Sequence, residues 1–227
     1  MTRFSQTRLA LGAVVLLSAC ADNEITVSVP TPSLAFPVAA VVSAYVQTPH
    51  DHVLTATSGA DTYTLTWHSV AGPAASFEGT AAATMDYTNT ITKNGVAVAG
   101  ASLTDYFALA PFKPLGGQNH TQGSYEVASA QQPLPATAQP GQSGAFGLST
   151  KYTSATKQTV IATGTSTWSL EAESASAAWA CINVSIKYAN TAQPDGYESV
   201  CHKTDVSGAL LGVRMTLDLN GLRLTFK

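Results

Sequence analysis

The chain has 227 residues, with a formal net charge of −3, 45% hydrophobic residues and only 11% charged ones. The usual charged share is roughly a quarter, so Ser, Thr, Ala, Gly and Asn must cover much of the surface. The missing basic excess excludes a phosphate-reading surface for nucleic acid and a polybasic site for lipid headgroups.

At the N-terminus, Arg3 and Arg8 precede an apolar run over 9–17 that leads into Leu17-Ser18-Ala19-Cys20. The run is too short to span a bilayer. Its order of basic, apolar and small residues is that of a secretory signal peptide over 1–19. A cysteine directly after Leu-Ser-Ala resembles the lipobox of bacterial lipoproteins. That resemblance implies that the Cys20 thiol carries diacylglycerol, that Cys20 becomes the new N-terminus, and that an amide-linked chain such as palmitate follows. One acyl chain binds marginally, whereas two or more hold a protein stably, at roughly 0.8 kcal/mol per buried methylene. Ala21 stands where an aspartate commonly retains Gram-negative lipoproteins at the inner membrane, so the resemblance points to the outer membrane, on its periplasmic side or at the cell surface. Without Arg3 and Arg8 the remaining 208 residues carry about −5.

Residues 20–37 read as a lipidated tether, because Pro30, Pro32 and Pro37 among small polar neighbours resist packing. Residues 38–227 read as an all-β domain. The apolar run 38–46 follows Pro37 and reads as a buried strand. Segments 53–57 and 62–69 flank Ser58-Gly59-Ala60-Asp61 as a hairpin, with Tyr63, Leu65 and Trp67 on one face. Over 77–91, Phe77, Gly79, Ala81, Ala83, Met85, Tyr87 and Ile91 fall on one face of a single long strand. Asn94-Gly95 then makes a two-residue turn that sets Ile91 opposite Val98.

The stretch 131–144 is rich in Pro, Gln, Ala and Gly and has no period. It is a sub-boundary between two β lobes or a long loop within one sheet system. Further on, Trp168, Leu170 and Ala172 alternate with polar residues, and a strand over 178–188 is followed by the turn Pro194-Asp195-Gly196. Two cysteines remain beyond Cys20, and an oxidising compartment favours their pairing as Cys181–Cys201. That register puts Ile182 opposite Val200 and Asn183 opposite Ser199. The C-terminal Asn220-Gly221 sets Leu219 opposite Leu222, Leu217 opposite Leu224 and Met215 opposite Phe226, with Asp218 facing Arg223 on the other side. One register satisfies an apolar face and an opposite-charge pair together. The fold class is therefore an antiparallel β-sandwich or curved open barrel of roughly ten to twelve strands.

Candidate chemistry is sparse. Ser154-Ala155-Thr156-Lys157 matches the Ser-x-x-Lys of penicillin-binding proteins, but it lies in Ser/Thr-rich β-type sequence instead of opening a buried helix, and the accompanying spacings are wrong. His50-Asp51-His52 places two imidazoles on one side of a strand, as weak candidates for zinc or copper. Zinc sites need three or four ligands, so polar residues at a turn after Pro49 are the plainer reading. Glu171 and Glu173 share a strand face, which suits a solvated surface far better than the paired carboxylates of glycoside chemistry. Trp67 and Trp168 fall on apolar faces and read as core, whereas a role for Trp179 on sugars stays open.

No catalytic residue, cofactor or metal is assigned. The expected role is a non-enzymatic one, contact with envelope components or a structural part, for a lipoprotein anchored in the outer membrane. The alternative is a carrier of lipid or another apolar ligand in a β half-barrel, with Gly79, Ala81 and Ala83 leaving room inside.

Overall fold

The computed structural model describes residues 34–219 and 221–227. Cys20 and the expected signal peptide therefore lie outside the described residues. A short helix, α1 (Val38–Tyr45), precedes thirteen antiparallel strands: β1 (His50–Ser58), β2 (Asp61–Ala71), β3 (Ala75–Phe77), β4 (Thr80–Lys93), β5 (Val96–Leu109), β6 (Phe112–Asn119), β7 (Ser124–Ser129), β8 (Ser143–Tyr152), β9 (Val160–Ala172), β10 (Ala177–Tyr188), β11 (Gly196–Asp205), β12 (Leu210–Leu219) and β13 (Leu222–Phe226). Twelve of them pair in chain order, and β3 folds back on β4 beside this path. The first and last strands then meet: the Thr55 N–H donates to the Lys227 carbonyl at 3.2 Å and the Lys227 N–H returns the bond at 3.1 Å. The sheet is thus an all-β meander nearly closed into a barrel, which leaves little unpaired strand edge.

Period-2 alternation decides what lies inside. Leu65 and Trp67 of β2, Ile91 of β4, Met215 of β12, and Leu224 and Phe226 of β13 form the largest buried apolar cluster. Outside, β1, β2, β4 and β13 present Thr55, Thr57, Thr66, Thr88, Thr90 and Thr225 to solvent. The C-terminal hairpin has the expected register throughout, with Leu219, Leu217 and Met215 opposite Leu222, Leu224 and Phe226.

Three elements differ from the sequence reading. Residues 38–46 were expected as a strand, yet Val38–Tyr45 is helical. Its buried side chains, Val38, Val41, Val42 and Tyr45, recur at i, i+3, i+4 and i+7, the stripe of a helix with one apolar face. Alanines between them hid that stripe by making the whole run look apolar. The long strand expected over 77–91 is broken at its start: Glu78 and Gly79 both take positive φ and join β3 to β4 as a hairpin. Gly79 and Ala81 therefore do not face the interior with Ala83, and Ala82 is the buried residue instead. Ile91 stands opposite Ala99, not Val98, because a bulge inserts one extra residue into β5 just after the Asn94-Gly95 turn.

Residues 131–144 form a loop between β7 and β8, within one sheet, and hold α1 in place. Phe36 and Ala138 exchange backbone hydrogen bonds at 2.8 and 3.0 Å, the Ala39 N–H donates to the Pro135 carbonyl, and Gly141 and Gln142 bond to Leu170 of β9. Phe36, expected in the tether, is only 1% exposed and packs with Val38, Leu170, Ala178 and Ala180. Helix α1 and the loops 130–142, 173–176 and 206–209 cap one end of the barrel. The turns 59–60, 94–95, 120–123 and 153–159 lie at the other.

Candidate functional site

The interior below α1 is not uniformly apolar. Along β5 the inward row Leu103, Asp105, Phe107 carries one carboxylate. Asp105 lies opposite Gly117, Gly117 opposite Glu126, and Glu126 opposite Lys151, so successive strands β5 to β8 bring three charged side chains onto the inner face. From the far wall, Glu198 of β11 joins them on the face shared with Val200 and His202. The Tyr87 hydroxyl of β4 donates to Asp105 Oδ2 at 2.8 Å.

Surroundings set the charge state here. Burial raises the Asp105 carboxyl to about 7; Glu126 and Glu198 push it the same way, while the Tyr87 bond and Lys151 act against them. Glu198 is also raised, by burial and then by Glu126. Burial, with Asp105 beside it, holds the Tyr87 phenol well above its ordinary value. Glu198 nonetheless keeps contact with solvent. It faces inward and is exposed, so the barrel interior beside it is open to water.

The capped end holds a second polar group. Tyr45 of α1 stacks on His50 at 4.0 Å and lies 4.1 Å from His202 of β11, with His52 and Trp67 each 6.2 Å away, all between ring centroids. His50 Nε2 donates to the Tyr45 carbonyl at 3.0 Å, tying the helix end to β1. The buried atoms Tyr45 Oη, His52 Nε2, Trp67 Nε1 and His202 Nδ1 have no hydrogen-bond partner among the described residues. Burial, then His50 and His52, lowers His202 to about 3. His52 is lowered too, chiefly by burial.

The weak metal candidates His50 and His52 do come together, with ring centroids 5.5 Å apart, and His202 is the third imidazole that the sequence did not reveal. The Tyr45 ring stands between His50 and His202, so their nitrogens do not converge. Among the described residues, the ligand-type groups that do converge in a set of three are Glu171, Cys181 and Cys201. Both sulfurs of that set are already joined as the Cys181–Cys201 disulfide. The bridge links directly opposed residues of β10 and β11, in the register that also pairs Ile182 with Val200 and Asn183 with Ser199. It lies on the outer face beneath Arg214, which donates to Glu171 at 2.6 Å and sits 4.8 Å over the Trp179 ring.

Other candidates are dispersed. Glu171 and Glu173 are committed to ion pairs with Arg214 and Lys203. The Ser154 hydroxyl meets Thr156 at 2.8 Å, while the Lys157 ammonium is drawn 2.5 Å from Glu78. Ser154 and Lys157 close a surface turn, not a helix start. Trp67 belongs to the apolar core and Trp168 packs against another part of it. Asp105, Glu126 and Glu198 escaped the sequence reading. Their signal was an acidic residue in the inward phase of an apolar alternation, as in Leu103-Thr104-Asp105-Tyr106-Phe107. Comparison with protein-family models, with curated proteins and with solved structures found no match.

Proposed function

We propose that this chain is a non-enzymatic binding module anchored by lipid at Cys20 to the bacterial outer membrane. The polarity of the barrel's outward face carries this reading. A barrel that lives in lipid wears an apolar band outside and its polar residues within. Here the outer face carries the threonine rows of β1, β2, β4 and β13 together with the charged groups Asp51, Glu171, Arg214 and Arg223. Such a barrel stands in water, and its attachment has to come from a segment outside it. The lipobox-like 17–20 supplies one.

The interior favours a polar ligand or surface contact over transport of an acyl chain. A hydrocarbon tail beside Asp105, Glu126, Glu198 and Lys151 would strip water from groups that are costly to desolvate. Leu65, Leu224 and Phe226, each at most 2% exposed, already fill the apolar side.

Labelling a Gram-negative expression host with an alkyne palmitate, followed by membrane fractionation, tests the anchor. The wild-type chain is expected to carry the label and to sediment with the outer membrane, and Cys20→Ala to lose both. An unlabelled mature chain that begins elsewhere would overturn the reading.

A further inference from the structure

We infer that the last turn of α1 is an acid-released latch: a proton taken up by the imidazoles packed around Tyr45 lifts the helix end off His202 and opens this end of the barrel. This goes beyond the reading of the chain as a binding module and does not depend on acylation of Cys20.

The packing carries it. The Tyr45 ring is nearly parallel to His50 at 4.0 Å and to His52 at 6.2 Å, and lies 4.1 Å from His202, all between ring centroids. These rings come from α1, β1 and β11, so the contact exists only while the helix is docked. Tyr45 is 6% and His202 3% exposed, and neither Tyr45 Oη nor His202 Nδ1 has a partner among the described residues. A buried imidazole tolerates a charge only if an acceptor or a carboxylate stands beside it. None does here. Tyr45 faces His202 from α1, His50 and His52 from β1, and β10 and β12 set Ala180 and Val213 directly opposite it. Trp67 of β2 completes the cluster against Tyr45 and His52. Asp51, between the two histidines of β1, is on the outer face and bonded to His68 at 2.5 Å. Burial, then His50 and His52, accordingly lowers His202 to about 3.

A proton on His202 therefore has to reach water, and the ring stacked over it belongs to the helix end. The fastening of α1 is uneven. Its start is tied to the 131–144 loop by the backbone bonds of Phe36 with Ala138 and of Ala39 with Pro135, whereas its end relies on the ring stack and on His50 Nε2 donating to the Tyr45 carbonyl at 3.0 Å. Release consequently begins at Tyr45 and the following segment 46–49, and leaves the strand ladders intact. The sign follows from the proton count. Docked, His202 stays neutral to about 3; released, it takes a proton near 6.5, so release is favoured as pH falls below 6.5. One such imidazole makes the released state about thirtyfold more populated at pH 5 than at pH 7.5.

Hydrogen exchange of the full mature chain in neutral detergent at pH 7.5, 6 and 5, corrected for the intrinsic pH dependence of exchange, tests the latch. Protection of the amides over 42–48 is expected to fall at least tenfold relative to β12 and β13 between pH 7.5 and 5. His202→Phe, which keeps a ring but no site for the proton, should flatten that profile, and His68→Gln, on the outer face, should leave it unchanged. The wild-type chain gives a second reading that needs no variant: nitrogen-15 NMR of the His202 ring should show it taking up its proton over the same pH range in which protection of 42–48 is lost. The inference is overturned if protection over 42–48 does not change with pH, if it falls as far in His202→Phe, or if β12 and β13 lose protection equally. It also fails if the His202 ring becomes protonated while 42–48 stays protected. None of these outcomes depends on the palmitate label, so failure here and failure of the anchor can be told apart.

Discussion

Phe36 and Ala138 are joined by a reciprocal pair of backbone hydrogen bonds, although 102 positions separate them in the chain. That bridge is what turns a helix at the start of the domain into a cap. The loop carrying Ala138 is itself fastened to β9 through Leu170, so α1, loop and barrel wall form one continuous packed layer.

Removing the Phe36 side chain should therefore loosen the cap. Phe36→Ala deletes a ring that is 1% exposed, and emptying such a site typically costs roughly 3–5 kcal/mol. Urea unfolding should show that loss, and hydrogen exchange should show faster opening across α1 than across β12 and β13. Equal exchange in both regions would mean that Phe36 does not hold the helix.

Loss of the disulfide should destabilise the domain without changing its topology. Cys181 and Cys201 are 20 residues apart in sequence, a loop whose closure is worth roughly 3 kcal/mol on the chain-entropy model. The double variant Cys181→Ser, Cys201→Ser is expected to melt at lower temperature with an unchanged far-ultraviolet spectrum. The register of β10 and β11 does not depend on the bridge, because Ile182–Val200 and Asn183–Ser199 hold it independently.

Stability should depend on pH from two opposing directions. His202 stays neutral down to about 3 when folded but takes a proton near 6.5 when unfolded. Between those values the unfolded chain binds more protons, so this group makes stability fall as pH falls from 6.5. Asp105 keeps its proton to about 7 when folded and loses it near 3.8 when unfolded. Here the folded chain binds more protons, and stability falls as pH rises from about 4 to 7. Each contributes up to about 1.4 kcal/mol per pH unit, so they offset one another over the shared range. Denaturant midpoints across pH 4–7 should be nearly flat in the wild type. They should rise with pH in Asp105→Asn and fall with pH in His202→Phe.

How much was legible in the sequence depended on how local the cause was. The pairing of Leu217 with Leu224 and of Asp218 with Arg223 follows from a tight turn and a period of two, both local, and the structure has it. The Cys181–Cys201 register is local in the same sense, once a single turn is granted. Helix α1 was not legible, because Val and Ala fit either period and the choice falls to the bridge from Phe36 to Ala138. The charged interior was not legible either. Asp105, Glu126 and Glu198 look like ordinary strand positions until the sheet curls and sets β11 across from β5 and β7. Tyr45 and His202 meet for the same reason, since the contact needs both the helix and the closure.

Whether Asp105 stands inside a charged, protein-lined cup is read most directly from a carbon-13 NMR titration of its side-chain carboxyl, assigned by loss of the signal in Asp105→Asn. A midpoint at about 7 is predicted, moving down in Glu198→Gln as one repelling charge is removed. A midpoint in the ordinary carboxylate range near 3.8, unmoved by Glu198→Gln, would contradict the site.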